Sequence, residues 1–396
     1  MEQRPFPELT IPGDRTSRPP GVRPTVPEVR GQVPEDIRTR SLGLGLAIFL
    51  VAGMLYALTF WGVLAAPAWP LQVVLALANG ICIGTFFVVG HDACHGSLTP
   101  FSALNQGLGR LALLPSLTPF TSWEFAHNRI HHAYTNLRSK DYAWAPFSKC
   151  EYDRLPPRRR WLERHYRSLG GLGTYYFIEY WLKHLLFPSR AERRAMKRTF
   201  HFALDLLLVA GFAACEMAVI IAWSSSRSGT DRFWGPITAL VGLLVLVWLL
   251  PFLIWNWSMG FAIYQHHNHP RIPWYDQRAE WDFFAGQVES TTHMQLPWFL
   301  EWVMAHIMQH TAHHVDPKIP LYRLPQSQRC LEQVYPQEIV VESWSIRGLI
   351  RTMARCKLYD YENHRWMNFD GRPTTEPHPQ LRALREGTVP PRRRSP

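Results

Sequence analysis

Histidine is the residue type on which this sequence concentrates its chemistry. The chain has 18 histidines, and the strings HDACH, HNRIHH and HTAHH gather eight of them into three clusters. Residues three or four apart share one face of a helix, so each cluster can direct its imidazoles towards one point. The clustered residues are His91, His95, His127, His131, His132, His310, His313 and His314.

The number of converging histidines predicts a site for two metal ions. A closed zinc site has four ligands, and eight imidazoles exceed that number. Imidazole binds iron, zinc, copper and nickel alike, so the ligand type does not identify the metal. Elsewhere a histidine on a helix is expected to be a surface or hydrogen-bonded residue, and this interpretation covers His165, His184, His201, His364 and His378.

Five carboxylates lie near the clusters in sequence: Asp92, Glu124, Asp141, Asp282 and Asp316. Each could accept the outer ring N–H of a metal-bound histidine, which fixes the orientation of the ring. An equally open alternative is that they are charges at a membrane interface. Of the five, Asp92, Glu124 and Asp316 are the candidates to orient metal-bound histidines.

Four long apolar stretches predict membrane-spanning helices. A span needs about 20 apolar residues to cross about 30 Å of hydrocarbon, and these stretches are long enough. They lie at about 41–64, 71–90, 202–223 and 236–257. Short connections pair them into two hairpins, so the predicted fold class is all-α and integral to the membrane.

Three further features refine this membrane interpretation. Glu216 falls within the third stretch, where it should face the bundle or pair with a neighbour. The stretches 101–120 and 172–187 mix apolar residues with charges and glycines, which is typical of helices that lie in the interface.

Basic residues predict the orientation in the membrane. Arg38 and Arg40 precede the first stretch, and five Lys or Arg residues occupy 190–198 before the third. Because such residues favour the cytoplasmic side, both termini and the segment 91–200 are expected there. All three histidine clusters then fall in one cytoplasmic helical cap, and the inner membrane of a bacterium is the expected location.

Composition divides the chain into three parts. Residues 1–40 are rich in proline and predict a disordered tail, 41–330 hold the membrane domain, and 331–396 form a cytoplasmic segment with a basic tail. The chain has 42 Lys and Arg against 31 Asp and Glu, a net charge of +11. This excess suits anionic lipid headgroups, and we expect no nucleic acid partner.

The three clusters and their flanks resemble the integral-membrane fatty acid desaturases, most closely the acyl-lipid omega-6 or delta-12 type. The matching strings are HDACHGS, HNRIHHAYTN, HTAHHVDP, TNLRSKDYAWAPFSK and EWDFFAGQVES, within residues 41 to 330. This resemblance implies a non-haem di-iron centre, O2 as oxidant and a cis double bond inserted into an acyl chain. It also implies a further ligand among His266, His267 and His269, and the string HNHP favours His267.

The resemblance leaves the acyl carrier open between a glycerolipid and an acyl thioester. The sequence has no Cys set for an iron–sulfur cluster and no G-x-G-x-x-G, so two electrons must come from an external ferredoxin or cytochrome b5 type donor. Substrate-wall candidates lie at the end of the fourth stretch, although interfacial anchoring explains them nearly as well. They are Trp255, Asn256, Trp257 and Tyr264.

Two alternatives to a desaturase stay open. A related di-iron lipid hydroxylase, or a carotenoid ketolase or hydroxylase, would keep the fold and the metals. A metal transporter is more remote, because its ligands would lie near the membrane midplane and these lie beyond the span ends.

Overall fold

The computed structural model describes residues 23–227, 234–378 and 381 of the 396-residue chain, and these residues are mostly helical. The α-helices are α1 (Val26–Gly31), α2 (Leu42–Ala65), α3 (Trp69–Cys94), α4 (Ser102–Leu113), α5 (Phe120–Glu124), α6 (Lys149–Arg154), α7 (Pro157–Tyr166), α8 (Leu172–Tyr175), α9 (Arg190–Met196), α10 (Thr199–Arg227), α11 (Trp234–Leu243), α12 (Leu250–His267), α13 (Trp298–Val303), α14 (His310–Val315), α15 (Leu324–Val334) and α16 (Ile346–Arg355). Wider π-helical stretches cover Phe125–His131, Tyr176–Leu186, Leu244–Leu249 and Ala285–Glu289. Short 3-10 turns cover Glu35–Arg38, Leu114–Ser116, Leu169–Gly171, Arg278–Glu280 and Leu321–Arg323.

Two small sheets correct the all-α prediction. Strand β1 (Thr292–Gln295) pairs in parallel with β2 (Val340–Ser343), and β3 (Leu358–Asp360) pairs with β4 (Arg365–Met367) in antiparallel. The strands have only three or four residues each, too few for a clear period of two. The partners β1 and β2 are also far apart in the chain, so local sequence carries no signal of their pairing.

Four helices are long and apolar enough to cross a membrane. We call them the first to fourth spans: Leu42–Ala65, Trp69–Cys94, Thr199–Ser226 and Thr238–His267. The second and fourth continue past the ends predicted at 90 and 257. These extensions matter because they carry His91 and His267 on rigid helix.

Close helix packing fixes the second span against the fourth. A Cβ placed on Gly80 would stand 2.6 Å from the Ile254 Cβ, so the glycine permits this contact. Within the bundle, the Tyr56 hydroxyl of the first span donates to Glu216 of the third. This hydrogen bond gives Glu216 the neighbour that the sequence analysis expected.

The two predicted interfacial stretches are helical. The first contains α4 and the turn Leu114–Ser116, and the second contains α8 followed by the π-helix Tyr176–Leu186. Gly260 of the fourth span packs so tightly against this second stretch that a Cβ there would stand 2.1 Å from the Leu172 carbonyl oxygen.

The amino-terminal segment corrects the predicted tail from residue 23 onward. Val29, Val33 and Ile37 recur every four residues, and all three are buried in the main core. At the start of the described segment, Arg23 pairs with Asp282 at 3.0 Å. Three regularly spaced apolar side chains therefore anchor a segment whose proline content predicts disorder, while residues 1–22 lie outside the described part.

The carboxyl-terminal segment also belongs to the main body. Leu331, Leu349 and Met353 lie in the same core as Val29, so the boundary predicted at 330 does not separate two packing units. The basic tail beyond residue 381 lies outside the described residues.

Candidate metal centre

Nine histidines gather in two adjacent groups. Within each group the nitrogens available for a metal all lie within 4.8 Å of one another. The first group is His91, His95, His127, His132 and His313; the second is His131, His267, His310 and His314. All eight clustered histidines are present, together with the one that the resemblance favoured.

The end of the second span carries the first pair. His91 lies in the last turn of α3 and His95 caps that helix, so the two rings are four residues apart. Their ring centroids are 4.7 Å apart, and His91 Nε2 lies 2.7 Å from His127 Nε2.

A π-helical turn distributes the second cluster between the groups. The His132 N–H donates to the His127 carbonyl five residues earlier at 2.9 Å, which widens the helix. His127 and His132 therefore share the first group, with their Nε2 atoms 3.0 Å apart, while His131 turns towards the second. Such π turns are frequent at functional sites. The spacing of the histidines in the sequence predicts an ordinary α-helix here.

Helix α14 stands between the two groups. His313 contributes to the first group, while His310 and His314 contribute to the second. His313 Nε2 lies 3.0 Å from His132 Nε2. At the end of the fourth span, His267 Nε2 lies 3.0 Å from His310 Nε2.

The structure distinguishes the three histidines left open after the fourth span. His267 stands in the second group. His266 Nε2 is 3.2 Å from the Met308 sulfur, and its ring stacks on His310. His269 Nε2 is 2.5 Å from Glu342, outside both groups.

The histidines outside the groups have other surroundings. His165 Nε2 lies 3.1 Å from the Thr174 hydroxyl, and His184 Nδ1 lies 2.6 Å from Glu192. His364 is buried with Nδ1 3.2 Å from the Trp274 carbonyl, whereas His201 is exposed. The backbone N–H of His378 donates to the His364 carbonyl. These residues match the surface or hydrogen-bonded roles expected of them.

The spacing of the nitrogens fits metal coordination. Two ligands at right angles about a metal, with bonds of about 2.1 Å, stand about 3.0 Å apart. Four Nε2 pairs in the two groups are separated by 2.7 to 3.0 Å. Within the described part of the chain, the buried His95 Nε2 and His314 Nε2 have no hydrogen-bond partner, which leaves both available as ligands.

Burial keeps six of the grouped imidazoles neutral. For the six grouped histidines outside the spans, desolvation lowers the pKa of the imidazole well below its ordinary value. Neighbouring histidines lower this pKa further. The residues concerned are His95, His127, His132, His310, His313 and His314. Only the neutral ring has a lone pair to give to a metal, so the site is ready to bind one.

Two polar side chains orient rings of the second group. His131 Nδ1 lies 3.1 Å from the buried Asp141 carboxylate, which also accepts the Asn136 backbone N–H at 3.0 Å. His314 Nδ1 lies 2.8 Å from Gln287 Oε1. Asp141 was among the five carboxylates considered, whereas Gln287 was missed because a lone glutamine 27 residues before His314 carries no local signal.

The three selected carboxylates have other partners, which corrects the expectation for them. Asp92 accepts from the Ser97 hydroxyl at 2.6 Å. Glu124 pairs with Arg198 at 2.6 Å, and Asp316 lies 3.7 Å from Arg38. Asp282, also considered, pairs with Arg23. Each carboxylate pairs with a cation or hydroxyl that the fold brings near. The position of a carboxylate close to a histidine cluster in the sequence does not predict that partner.

An apolar cavity of about 260 Å³ lies against both histidine groups. Six histidines line it, joined by apolar side chains from the second and fourth spans and from α13. The histidines are His91, His127, His131, His266, His267 and His310. A hydrocarbon chain can therefore lie directly beside the grouped histidines.

Three of the four substrate-wall candidates on the fourth span do not line this cavity. Trp255 is fully buried between Phe87 and Tyr176. Asn256 donates to the Phe252 carbonyl at 2.8 Å, and Tyr264 lies 3.4 Å from the Cys356 carbonyl. The fourth candidate, Trp257, does line the cavity, together with Ser258, Met259, Phe261, Ala262 and Ile263 of the same helix.

Comparison with known proteins decides the family. The fatty acid desaturase family model matches residues 67–345, which is most of the chain. The chain belongs to the fatty acid desaturase family. It is therefore an oxidoreductase, and its four long apolar helices are those of a membrane protein.

Curated relatives of this desaturase have related names. It is 29% identical over 313 residues to the chloroplastic omega-6 fatty acid desaturase of Glycine max, covering 79% of this chain and 68% of that protein. It is 29% identical over 310 residues to the sn-1 oleoyl-lipid 12-desaturase of a Picosynechococcus species, covering 78% and 82%. A Synechocystis relative, 27% identical over 336 residues, is named sn-1 acyl-lipid omega-3 desaturase (ferredoxin), with 83% and 85% covered.

Proposed function

We propose that this desaturase inserts a cis double bond at the delta-12 or omega-6 position of a lipid-bound acyl chain, using two iron ions held by the nine grouped histidines. The observation that carries the proposal is the apolar cavity beside two groups of converging histidines. The names of the omega-6 and oleoyl-lipid 12-desaturase relatives support the position of the bond.

The first group would hold one iron with five histidines and the second group the other with four. Iron bound there supplies the activation of O2 and the removal of two hydrogens from adjacent methylenes. The balanced reaction is R–CH2–CH2–R′ + O2 + 2 e⁻ + 2 H⁺ → R–CH=CH–R′ + 2 H2O.

The protein itself positions the acyl chain and keeps water out of the site. The cavity walls would position the chain beside the histidines and exclude water, while Asp141 and Gln287 keep His131 and His314 in fixed orientations. Such outer partners raise the basicity of the ligands, and the hard chemistry belongs to the cofactor.

We further propose that four spans cross the membrane with both termini and the histidines on the cytoplasmic side. The basic residues before the first and third spans support this orientation. The inner membrane of a bacterium is the proposed location.

An acidic electron carrier of the ferredoxin or cytochrome b5 type would dock where the first histidine group reaches the surface. His95 and His132 are partly exposed, and neither lines the apolar cavity. Arg129, two residues after His127, and Lys318, five residues after His313, are exposed and have no ion pair among the described residues. The relative named for ferredoxin supports this class of donor.

The test is fatty-acid analysis by gas chromatography–mass spectrometry. Membranes would come from a host without desaturases that expresses the protein with a compatible ferredoxin, with His313→Ala as the inactive control. A new cis double bond at delta-12, absent from the control, is expected. A hydroxylated chain or an oxidised carotenoid would overturn the proposal in favour of a related di-iron oxygenase.

A further inference from the structure

Residues 282–290, which we call the orienting segment, contact two rings of the second histidine group from outside. Gln287 Oε1 lies 2.8 Å from His314 Nδ1, and the Ser290 carbonyl oxygen lies 3.3 Å from His267 Nδ1. An oxygen at Nδ1 accepts the ring N–H, so Nε2 keeps the lone pair that a metal needs. The position of the orienting segment therefore sets how two of the rings are aimed.

Helix α14 contributes three of the grouped histidines within six residues. A helix this short is not stable by itself, because its nucleation costs more than its few hydrogen bonds return. Its first N–H groups and last carbonyls also lack partners inside the helix. Near its start, the buried Gln328 accepts the Ala312 N–H at 2.8 Å. Other parts of the chain must therefore hold α14 in place.

The amino-terminal segment reaches both of these elements with arginines. Arg23 donates to Asp282 at 3.0 Å, where the orienting segment begins, and to Glu289, near its end. Arg30 Nε donates at 2.9 Å to the carbonyl of Val315, the last residue of α14. One short stretch of chain thus fastens two elements that lie far from it in sequence.

The surroundings of the two arginines strengthen these contacts. The side chain of Glu289 is 3% exposed and that of Arg23 is 16% exposed, so solvent ions screen their attraction little. The Arg23 guanidinium lies 5.7 Å from the centre of the Phe284 ring. The Arg30 guanidinium lies 5.5 Å from the centre of the Phe283 ring. Both cations therefore also stack on the two aromatic residues of the orienting segment.

We propose that Arg23 and Arg30 are positioning residues of the metal centre. Arg23 fixes the orienting segment and through it the rings of His267 and His314, which belong to the second group. Arg30 fixes α14, which supplies ligands to both groups. This inference rests on the proposed function, because it takes the two histidine groups as metal sites.

The two arginines should differ in which metal site they affect. Cobalt(II) is a suitable probe for a titration of the metal-free protein, because imidazole binds it and its visible absorption reports the coordination. Loss of a group that orients a ligand costs about 10- to 100-fold in metal affinity. Arg23→Met should weaken one of the two cobalt sites by that factor, whereas Arg30→Met should weaken both.

Three further variants separate positioning from folding. Arg347→Met is the matched control, because Arg347 is exposed on α16, and it should bind cobalt as the wild type does. Arg23→Met/Glu289→Gln removes both charges of the ion pair. It should fold even where Arg23→Met does not, and it should still weaken one site. Arg30→Lys keeps a cationic donor towards Val315 and should recover part of the affinity that Arg30→Met loses.

A second readout needs no metal. Amide hydrogen exchange of the metal-free protein, followed by mass spectrometry, reports how often each element opens. Arg23→Met should speed exchange several-fold in peptides that cover the orienting segment. Arg30→Met should do so in peptides that cover α14. Exchange in the four spans should stay as in the wild type.

The outcomes separate this inference from the proposed function. Unchanged cobalt affinity in Arg23→Met and Arg30→Met would overturn the inference, and so would faster exchange spread evenly over the whole chain. Fewer than two cobalt ions in the wild type, with the exchange changes confined as expected, would contradict the two-metal proposal. The role of the two arginines in fixing these elements would then stand.

Discussion

At the scale of single residues, the orientation of His131 depends on one carboxylate. Asp141 is fully buried and holds the His131 Nδ1 atom at 3.1 Å, so the opposite nitrogen faces the second group. Removing such an outer partner costs about 10- to 100-fold in metal affinity. We therefore expect Asp141→Asn to weaken iron binding by that factor in a titration of the purified protein.

The control for this variant is Asp153→Asn. Asp153 is an exposed carboxylate that pairs with Lys149 four residues earlier. The Asp153→Asn protein should bind iron as the wild type does. Equal iron affinity in Asp141→Asn and Asp153→Asn would contradict the role given to Asp141.

Another single residue should set the depth of the acyl cavity. Ala143 is buried, lines the cavity with Tyr180, and follows the carboxylate that holds His131. Because Ala143 N–H donates to the carboxylate beside His131, we expect the methyl end of the chain to rest past the histidines, against Ala143. Ala143→Leu should shorten this end, slow desaturation of an oleoyl chain and move the residual double bond towards the methyl end.

The products of Ala143→Leu can be located by mass spectrometry of their derivatised double bonds. Iron content serves as the check on folding. An unchanged rate with the bond at the wild-type position would place the end of the acyl chain elsewhere.

Residue by residue, the sequence predicts the histidines better than their supports. The eight clustered histidines could be grouped because helical spacing is a local property. The partners of Asp92, Glu124 and Asp316 could not be predicted, since each is chosen by a residue that only tertiary packing brings near. The role of Gln287 as the partner of His314 could not be predicted for the same reason.

At the scale of helices, the crossing of the second and fourth spans depends on one glycine. A Cβ on Gly80 would stand 2.6 Å from Ile254 and 2.8 Å from the Pro251 carbonyl oxygen. Overpacking of this kind typically costs about 1 to 3 kcal/mol. Gly80→Ala should therefore lower the thermal stability of the purified protein.

The matched variant is Gly84→Ala, one turn along the same helix. A Cβ at Gly84 meets open space, so this protein should melt as the wild type does. Similar melting temperatures for the two variants would show that the spans do not approach as closely at Gly80 as the structure has them.

The helices also show which structural features the hydrophobic pattern of the sequence cannot predict. Apolar length predicts the four spans, because a long charge-free run has few other uses. It does not predict that the second and fourth helices continue into the histidine site, since their last turns are polar. The π turn at His127 and the four short strands likewise depend on packing that sequence periodicity does not record.

At the scale of the whole molecule, the charge around the first histidine group should govern electron delivery. Arg129 and Lys318 are exposed and follow His127 and His313 closely in sequence, and complementary charge speeds the encounter of a protein with its partner. The double variant Arg129→Glu/Lys318→Glu should raise the KM for an acidic ferredoxin several-fold. The effect should shrink as salt is added, because salt screens exposed charges.

The control for charge reversal is Arg158→Glu/Arg154→Glu. These exposed arginines lie at α7 and α6, away from the histidine groups in sequence. The same KM in both double variants would contradict docking at Arg129 and Lys318. Activity with a small chemical reductant should be equal in all three proteins.

One chain should hold two iron ions on its nine grouped histidines, and the iron content per chain measures this stoichiometry. Purified wild-type protein should contain two irons, and His201→Ala should match it because His201 is exposed and outside both groups. His313→Ala should lose iron from the first group while remaining folded. One iron in the wild type, or two in His313→Ala, would contradict the account.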